Sequence, residues 1–179
     1  MTKEEHNKVR KDYIKNIKRY MQEAGGLFPH VTIFAINTDS VEEDKHALIH
    51  IPIPNSYIEC DDDKDLLVDE ILPYLYEKVT KSFKPYGLAW ASEAWMRVAN
   101  SEEQFSNYKD IPIKKEVLMV CIETDFKSET LIYDILRNGS QVNSQGELTD
   151  NLVLKASKEI KKTGNASGRF VGLYKKLKS

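Results

Sequence analysis

The sequence predicts an α+β domain: an antiparallel sheet of about five strands with helices packed mainly on one face, in the order α-β-β-α-β-β-β-α. Three observations carry this. Between Gly87 and Thr124 lie two long apolar runs of strand type, which hold both tryptophans and are separated by a polar linker. Two earlier segments place apolar residues three and four apart, the spacing of a helix with one buried face. Short polar turns separate the strand-like runs, and short connections join antiparallel neighbours.

The elements follow in order. Val9, Tyr13, Ile14, Ile17, Tyr20, Met21 and Ala24 form one helical stripe, with Lys and Arg on the other face, and Gly25-Gly26 stops it. His30–Asn37 is β-branched and aromatic, so a strand; residues 38–44 are a polar turn; residues 45–53 are a second strand, which Pro52 and Pro54 end or hold at an edge. Asp61-Asp62-Asp63 opens a helix carrying Leu67, Ile71, Tyr74, Leu75, Val79 and Phe83, with Pro73 inside it to kink or split it. Pro85-Tyr86-Gly87 ends that helix, and a strand runs over 88–99. Residues 100–113 are a linker. Lys115–Thr124 is the most apolar strand, and its near-continuous run predicts cover on both faces. Residues 131–137 pair with it as a hairpin, and 138–147 form a polar loop. Thr149 or Asp150 caps a last helix through Thr163, and a basic, aromatic tail begins at about 164.

With 179 residues the chain fits one domain of ordinary size. No run reaches the ~18–20 apolar residues that cross a bilayer. The start, Met-Thr-Lys-Glu-Glu-His-Asn-Lys, has no apolar segment of signal-peptide type. Cys60 and Cys121 stand in unlike surroundings, an acidic turn and an apolar run, so the expectation is two free thiols in a reducing cytoplasm. The net charge of −2 conceals an asymmetry: residues 39–77 are strongly acidic and residues 155–179 strongly basic.

Several stretches hold residues with chemistry to offer. Asp61, Asp63 and Asp65 alternate like hard-cation ligands, but no glycine or distal bidentate Glu completes a calcium loop, so they read as a helix N-terminus. His46 and His50 share one face of an extended strand about 13 Å apart, too far to hold one zinc, while His30 on a neighbouring strand is placed to approach one of them. Glu93, Trp95 and Arg97 share a strand face with partners expected among Lys115, Glu116 and Glu123. That face is either a shallow polar pocket floored by Trp95, with Glu93 as an acid or base whose pKa burial raises, or a sheet face with ion pairs at its rim. Glu123 follows the most apolar run and, with Asp61 or Asp63, would form a carboxylate metal site. Lys161, Lys162, Arg169, Lys175 and Lys176, with Phe170 and Tyr174, offer charge and stacking to an anionic partner. The chain has no G-x-S-x-G elbow, phosphate loop, dinucleotide fingerprint or Cys-x-x-Cys pair, and no cofactor is called for.

Ser92-Glu93-Ala94-Trp95-Met96-Arg97, then Lys115-Glu116-Val117-Leu118-Met119-Val120, with Gly168-Arg169-Phe170 near the end, resemble segments of small uncharacterised proteins of bacteriophage and bacterial genomes. That resemblance brings no activity with it. The order of elements is similar to that of roadblock-type domains, and it implies dimerisation and partner binding. The sequence thus favours a non-enzymatic interaction or accessory protein, phage-encoded, acting through a protein partner or a homodimer and not at a membrane. Its alternatives are a metal-dependent hydrolase or nuclease using Asp61, Asp63, Glu93 or Glu123, and a nucleic-acid binder using the basic C-terminal segment.

Overall fold

The structure is a computed structural model, and it describes residues 2–37, 46–97, 106–113, 115–157, 170 and 172–179. The first helix, α1, spans Lys3–Ala24. Thr2 opens it with a capping box: the Glu5 N–H donates to the Thr2 hydroxyl (3.2 Å) and the Thr2 N–H to the Glu5 carboxylate (2.6 Å). Gly25 closes it at φ 71°, and a Cβ there would lie 2.6 Å from the backbone nitrogen of Asp150. Only glycine fits both the left-handed turn and that approach.

Six antiparallel strands form one sheet in the order β2-β1-β3-β4-β5-β6: β1 (His30–Asn37), β2 (His46–Pro52), β3 (Phe83–Met96), β4 (Lys115–Thr124), β5 (Ser128–Val142) and β6 (Leu148–Ala156). Between β2 and β3 the chain forms α2 (Asp61–Leu66), a widened π turn (Leu67–Ile71) and α3 (Leu72–Thr80). The division expected at Pro73 is made by this turn, which absorbs the backbone bond that proline cannot give. Strand β3 starts five residues before the expected 88, running through Pro85. A bulge at Tyr86 allows this, since Phe34 faces Gly87 while Ala35 faces Pro85, and β4 pairs only from Gly87 onward. A side chain at Gly87 would lie 2.7 Å from the Glu123 carbonyl.

The helix expected over 149–163 is instead β6 as far as Ala156; residues 158–163 lie outside the described residues. The cause is the preceding turn. The Asn143 side chain accepts from the backbone of Gln145 (3.0 Å) and Glu147 (2.8 Å), and Gly146 adopts φ 83°. That closes a hairpin, so β5 runs on to Val142 and offers the next segment a cross-strand partner. This is the sixth strand.

The helices cover both faces. Tyr13, Ile14, Ile17 and Met21 of α1 pack on Phe34, Ala89, Leu118, Val120 and Ile122. On the other face Leu67, Val68, Leu72 and Tyr76 pack on Val31, Ile33, Leu88 and Trp90. Strand β4 is therefore buried from both sides, as its apolar run predicts. Each fully buried large side chain contributes about 1.5–3 kcal/mol.

The end of the chain docks on this second face. Leu173 and Tyr174 of a short helix, α4 (Leu173–Lys178), are buried, and the Phe170 ring stacks on Trp90 with centroids 3.8 Å apart. Glu123, only 4% exposed, accepts the backbone N–H of Gly172 and that of Tyr174 (2.8 Å). Glu123 is thus the anchor of α4. Replacing it with alanine leaves two amide donors without their carboxylate. We expect Glu123→Ala to lose about 2–3 kcal/mol of unfolding free energy in urea titration.

Buried His6 of α1 bonds the Thr124 hydroxyl through Nδ1 (2.9 Å), and its Nε2 lies 4.0 Å from Glu129. Burial pushes its pKa below the ordinary 6.5; Glu129 opposes this, and Lys127 and Arg10 add to it. Burial also lowers His30 and His50. Below 6.5 the unfolded chain takes up protons that the folded state refuses, so stability falls with pH there and is level above it. The urea midpoint should drop between about pH 7.5 and about pH 5.5, and drop less in His6→Gln.

Candidate functional site

The polar end of the β3 face is a closed clasp. Arg137 of β5 was not among the expected site residues, and it is the hub. Its Nε and Nη2 donate to the two oxygens of Glu116 (2.9 and 2.5 Å), its Nη2 also to Glu93 (3.1 Å), and its Nη1 to the Gly25 carbonyl (3.1 Å) and to Asp150. The other Glu93 oxygen accepts the Leu27 N–H (2.6 Å). Burial raises the Glu93 pKa against the pull of Leu27, and Glu116 raises it further; Arg137 holds Glu116 below the usual carboxylate range. Both oxygens of Glu93 are engaged by the protein itself, so the group serves as a tie between α1 and the sheet.

The remaining predicted residues scatter. Trp95 stands 66% exposed. Arg97 turns away to donate to the carbonyls of Lys109 (2.6 Å) and Ile111. Glu123 lies on the opposite sheet face, under α4. Asp61 pairs with Lys64 (3.5 Å), and Asp63 accepts from the Cys60 backbone (3.3 Å), the helix-start role read from the sequence. Among the described residues no three His, Cys, Asp or Glu side chains gather to hold a metal. The C-terminal lysines are partly spoken for: Lys176 pairs with Asp69, and Lys178 with Asp125 (2.5 Å), while Lys175 is exposed. Lys161, Lys162 and Arg169 lie outside the described residues.

One open feature among the described residues is a groove between α1 and β2. Its larger part, about 500 Å³, is lined by Ile17, Tyr20, Phe28, Pro29 and Pro52, with Asn16, Arg19, His30 and His50 as polar members. Phe28 is 68% exposed and Tyr20, expected in the buried stripe, 52%. A smaller part, about 240 Å³, lies further toward the start of α1, between Glu5, Lys8, Val9 and Asp12 and the side chains of His46, Leu48 and Tyr86. His30 and His50 do approach, their ring centroids 6.0 Å apart. Their nitrogens are largely engaged: His30 Nδ1 bonds the Phe28 carbonyl (3.1 Å), its Nε2 bonds Tyr13 (3.3 Å), and His50 Nδ1 bonds Thr32 (2.9 Å). His46 Nδ1 bonds the Tyr86 hydroxyl (3.1 Å).

The backbone of β2 completes the groove. The Ile53 N–H donates to the Pro29 carbonyl (2.9 Å), on the β1 side. Because N–H direction alternates along a strand, Ile51, Ile49 and Ala47 face β1. His46, Leu48 and His50 then face outward, and so does Pro52, which is why proline is tolerated there. Among the described strands none pairs with that outer side. Phe28, Pro29, Arg19 and Arg137 were not picked out from the sequence. A Phe-Pro pair after two glycines is the only local signal of the groove wall.

Comparison with protein-family models, with curated proteins and with solved structures finds no match to this chain.

The clasp makes a prediction. Arg137→Leu leaves Glu93, Glu116 and Asp150 facing one another. We expect a loss of about 2 kcal/mol at neutral pH, below the 3–5 of a fully buried pair because the guanidinium is 34% exposed. The loss should shrink toward pH 5 in urea titrations, as Glu93 takes a proton and the repulsion relaxes.

Proposed function

We propose that this is a non-catalytic binding protein that receives an extended segment of a partner polypeptide along the outer side of β2. The observation that carries this is the outward-facing backbone of His46, Leu48 and His50 beside the α1–β2 groove of about 500 Å³. An added strand gains main-chain hydrogen bonds from the edge, and every second side chain points toward the groove. The exposed Phe28 and Tyr20 rings supply apolar contact at low entropy cost. The larger part of the groove has no thiol or carboxylate in its lining, and its imidazoles are held by hydrogen bonds. Such a lining favours recognition over bond-breaking.

Two features support a place in the cytoplasm: both cysteines are free, and among the described residues no helix is long and apolar enough to cross a membrane. A metal-dependent hydrolase would need its carboxylates together. Here Glu93 is tied to Arg137, Glu123 to α4 and Asp61 to Lys64. For a nucleic-acid binder, the ion pairs of Lys176 and Lys178 use charge that phosphates would need.

The test uses nine-residue peptides selected by display on the folded protein, with affinities measured by fluorescence anisotropy. His50→Ala removes the imidazole and keeps the outward N–H; His50→Pro removes both. Strand addition predicts a loss of at least tenfold for His50→Pro relative to His50→Ala, with circular dichroism unchanged. Equal affinity for the two variants contradicts it. A selected peptide of the chain's own β2 sequence, with dimers in sedimentation equilibrium, assigns the partner as a second copy.

A further inference from the structure

The larger part of the groove has a chemical bias that selects its occupant. Its walls are apolar, formed by Ile17, Tyr20, Phe28, Pro29 and Pro52. All four remaining lining side chains, Asn16, Arg19, His30 and His50, carry N–H groups, and no carboxylate stands among them. Arg19 is exposed, and no ion pair or hydrogen bond ties it to a described residue. By contrast Arg10 and Lys127 both pair with Glu129, and Arg137 pairs with three carboxylates. The smaller part of the groove differs, with Glu5 and Asp12 in its lining beside Lys8. Within the groove, Arg19 is therefore the cation whose part of the lining holds no carboxylate.

Resting on the strand-addition reading above, we propose that the partner segment carries an aromatic or aliphatic anchor that fills the space between Tyr20, Phe28 and Pro52, and an Asp or Glu two positions away on the same face, paired with Arg19. Residues two apart on a strand lie on one face about 7 Å from each other, a reach that a guanidinium on the adjacent helix covers. The acid belongs to a side chain and not to a chain terminus. Terminal carboxylates are captured by clusters of backbone N–H groups. Here Pro29 and Pro52 contribute none, and among the described residues no left-handed residue lines the groove. Charge complementarity thus fixes the occupant as an internal acidic–apolar segment of a partner protein.

The experiment is a charge swap, read by anisotropy on display-selected peptides with both ends blocked. Each peptide is compared with a version in which its acid is replaced by the amide, and with a version carrying Lys in its place. On the unaltered protein the amide version should bind at least fivefold more weakly. On Arg19→Glu the acid peptide should lose at least tenfold and the Lys peptide should become the better ligand. If the amide version binds as well as the acid on the unaltered protein while His50→Pro still abolishes binding, the charge assignment is wrong and strand addition stands. If His50→Pro is as good as His50→Ala, the reading beneath it falls as well. Binding that requires a free peptide C-terminus overturns the side-chain assignment. A selection that returns no peptide perturbing Phe28 or His50 resonances overturns both.

Discussion

One guanidinium sets the geometry on which the rest depends. Arg137 reaches from β5 to Glu93 on β3, Glu116 on β4, Asp150 on β6 and the carbonyl at the end of α1. Glu93 in turn takes the amide of Leu27. A carboxylate surrounded this way gives up water only because the charges and donors around it are complete. The clasp fixes where α1 ends and how the 25–29 turn leaves it. It therefore fixes where Phe28 and Pro29 stand, and how wide the channel between α1 and β2 is. Gly25 lets the helix end press against β6, and Gly26 leaves room for the Glu93 carboxylate.

The opposite face is built on the same principle, a buried acid used as an anchor. Glu123 collects amides at the start of α4, and the Trp90–Phe170 stack and the buried Tyr174 hold that segment down. With α2, α3 and α4 on one face and α1 on the other, the middle of β3 and most of β4 are buried from both sides, while the Trp95 end of β3 stays exposed. Among the described strands β2 and β6 are the two sheet edges, and of these the outer side of β2 lies beside the α1 groove. The proposed binding site is put there because the outer side of β2 borders an apolar groove, while Glu93 and Glu123 are held by hydrogen bonds within the fold.

Much of the fold was legible because its signals are local. The spacing of Tyr13, Ile14, Ile17 and Met21, the stop at Gly25 and the unbroken run of β4 each follow from neighbours a few residues away. The segment after Asp150 was misread because Leu152, Val153 and Leu154 suit either structure. The deciding partner, β5, is supplied by the turn at Asn143–Gly146. Glu116 stood among the expected partners of Glu93, with Lys115 and Glu123, and only the β3–β4 register separates them; Arg137 could not be joined to the set, because a bulge near Gly139 and the length of β5 decide where its side chain arrives. The approach of His30 to His50 was legible from strand geometry, but the groove was not. Its walls come from a helix, a turn and an edge strand, and only their packing brings Tyr20, Phe28 and Pro52 together.

Amide hydrogen exchange along β2 tests the central claim most directly, first on the free protein and then with a selected peptide bound. The account predicts alternation in the free protein, with Ala47, Ile49 and Ile51 protected and His46, Leu48 and His50 exchanging fast, and protection of the fast set when peptide binds. Uniform protection of the free strand, or a bound peptide that leaves Leu48 and His50 exchanging as before, would contradict it.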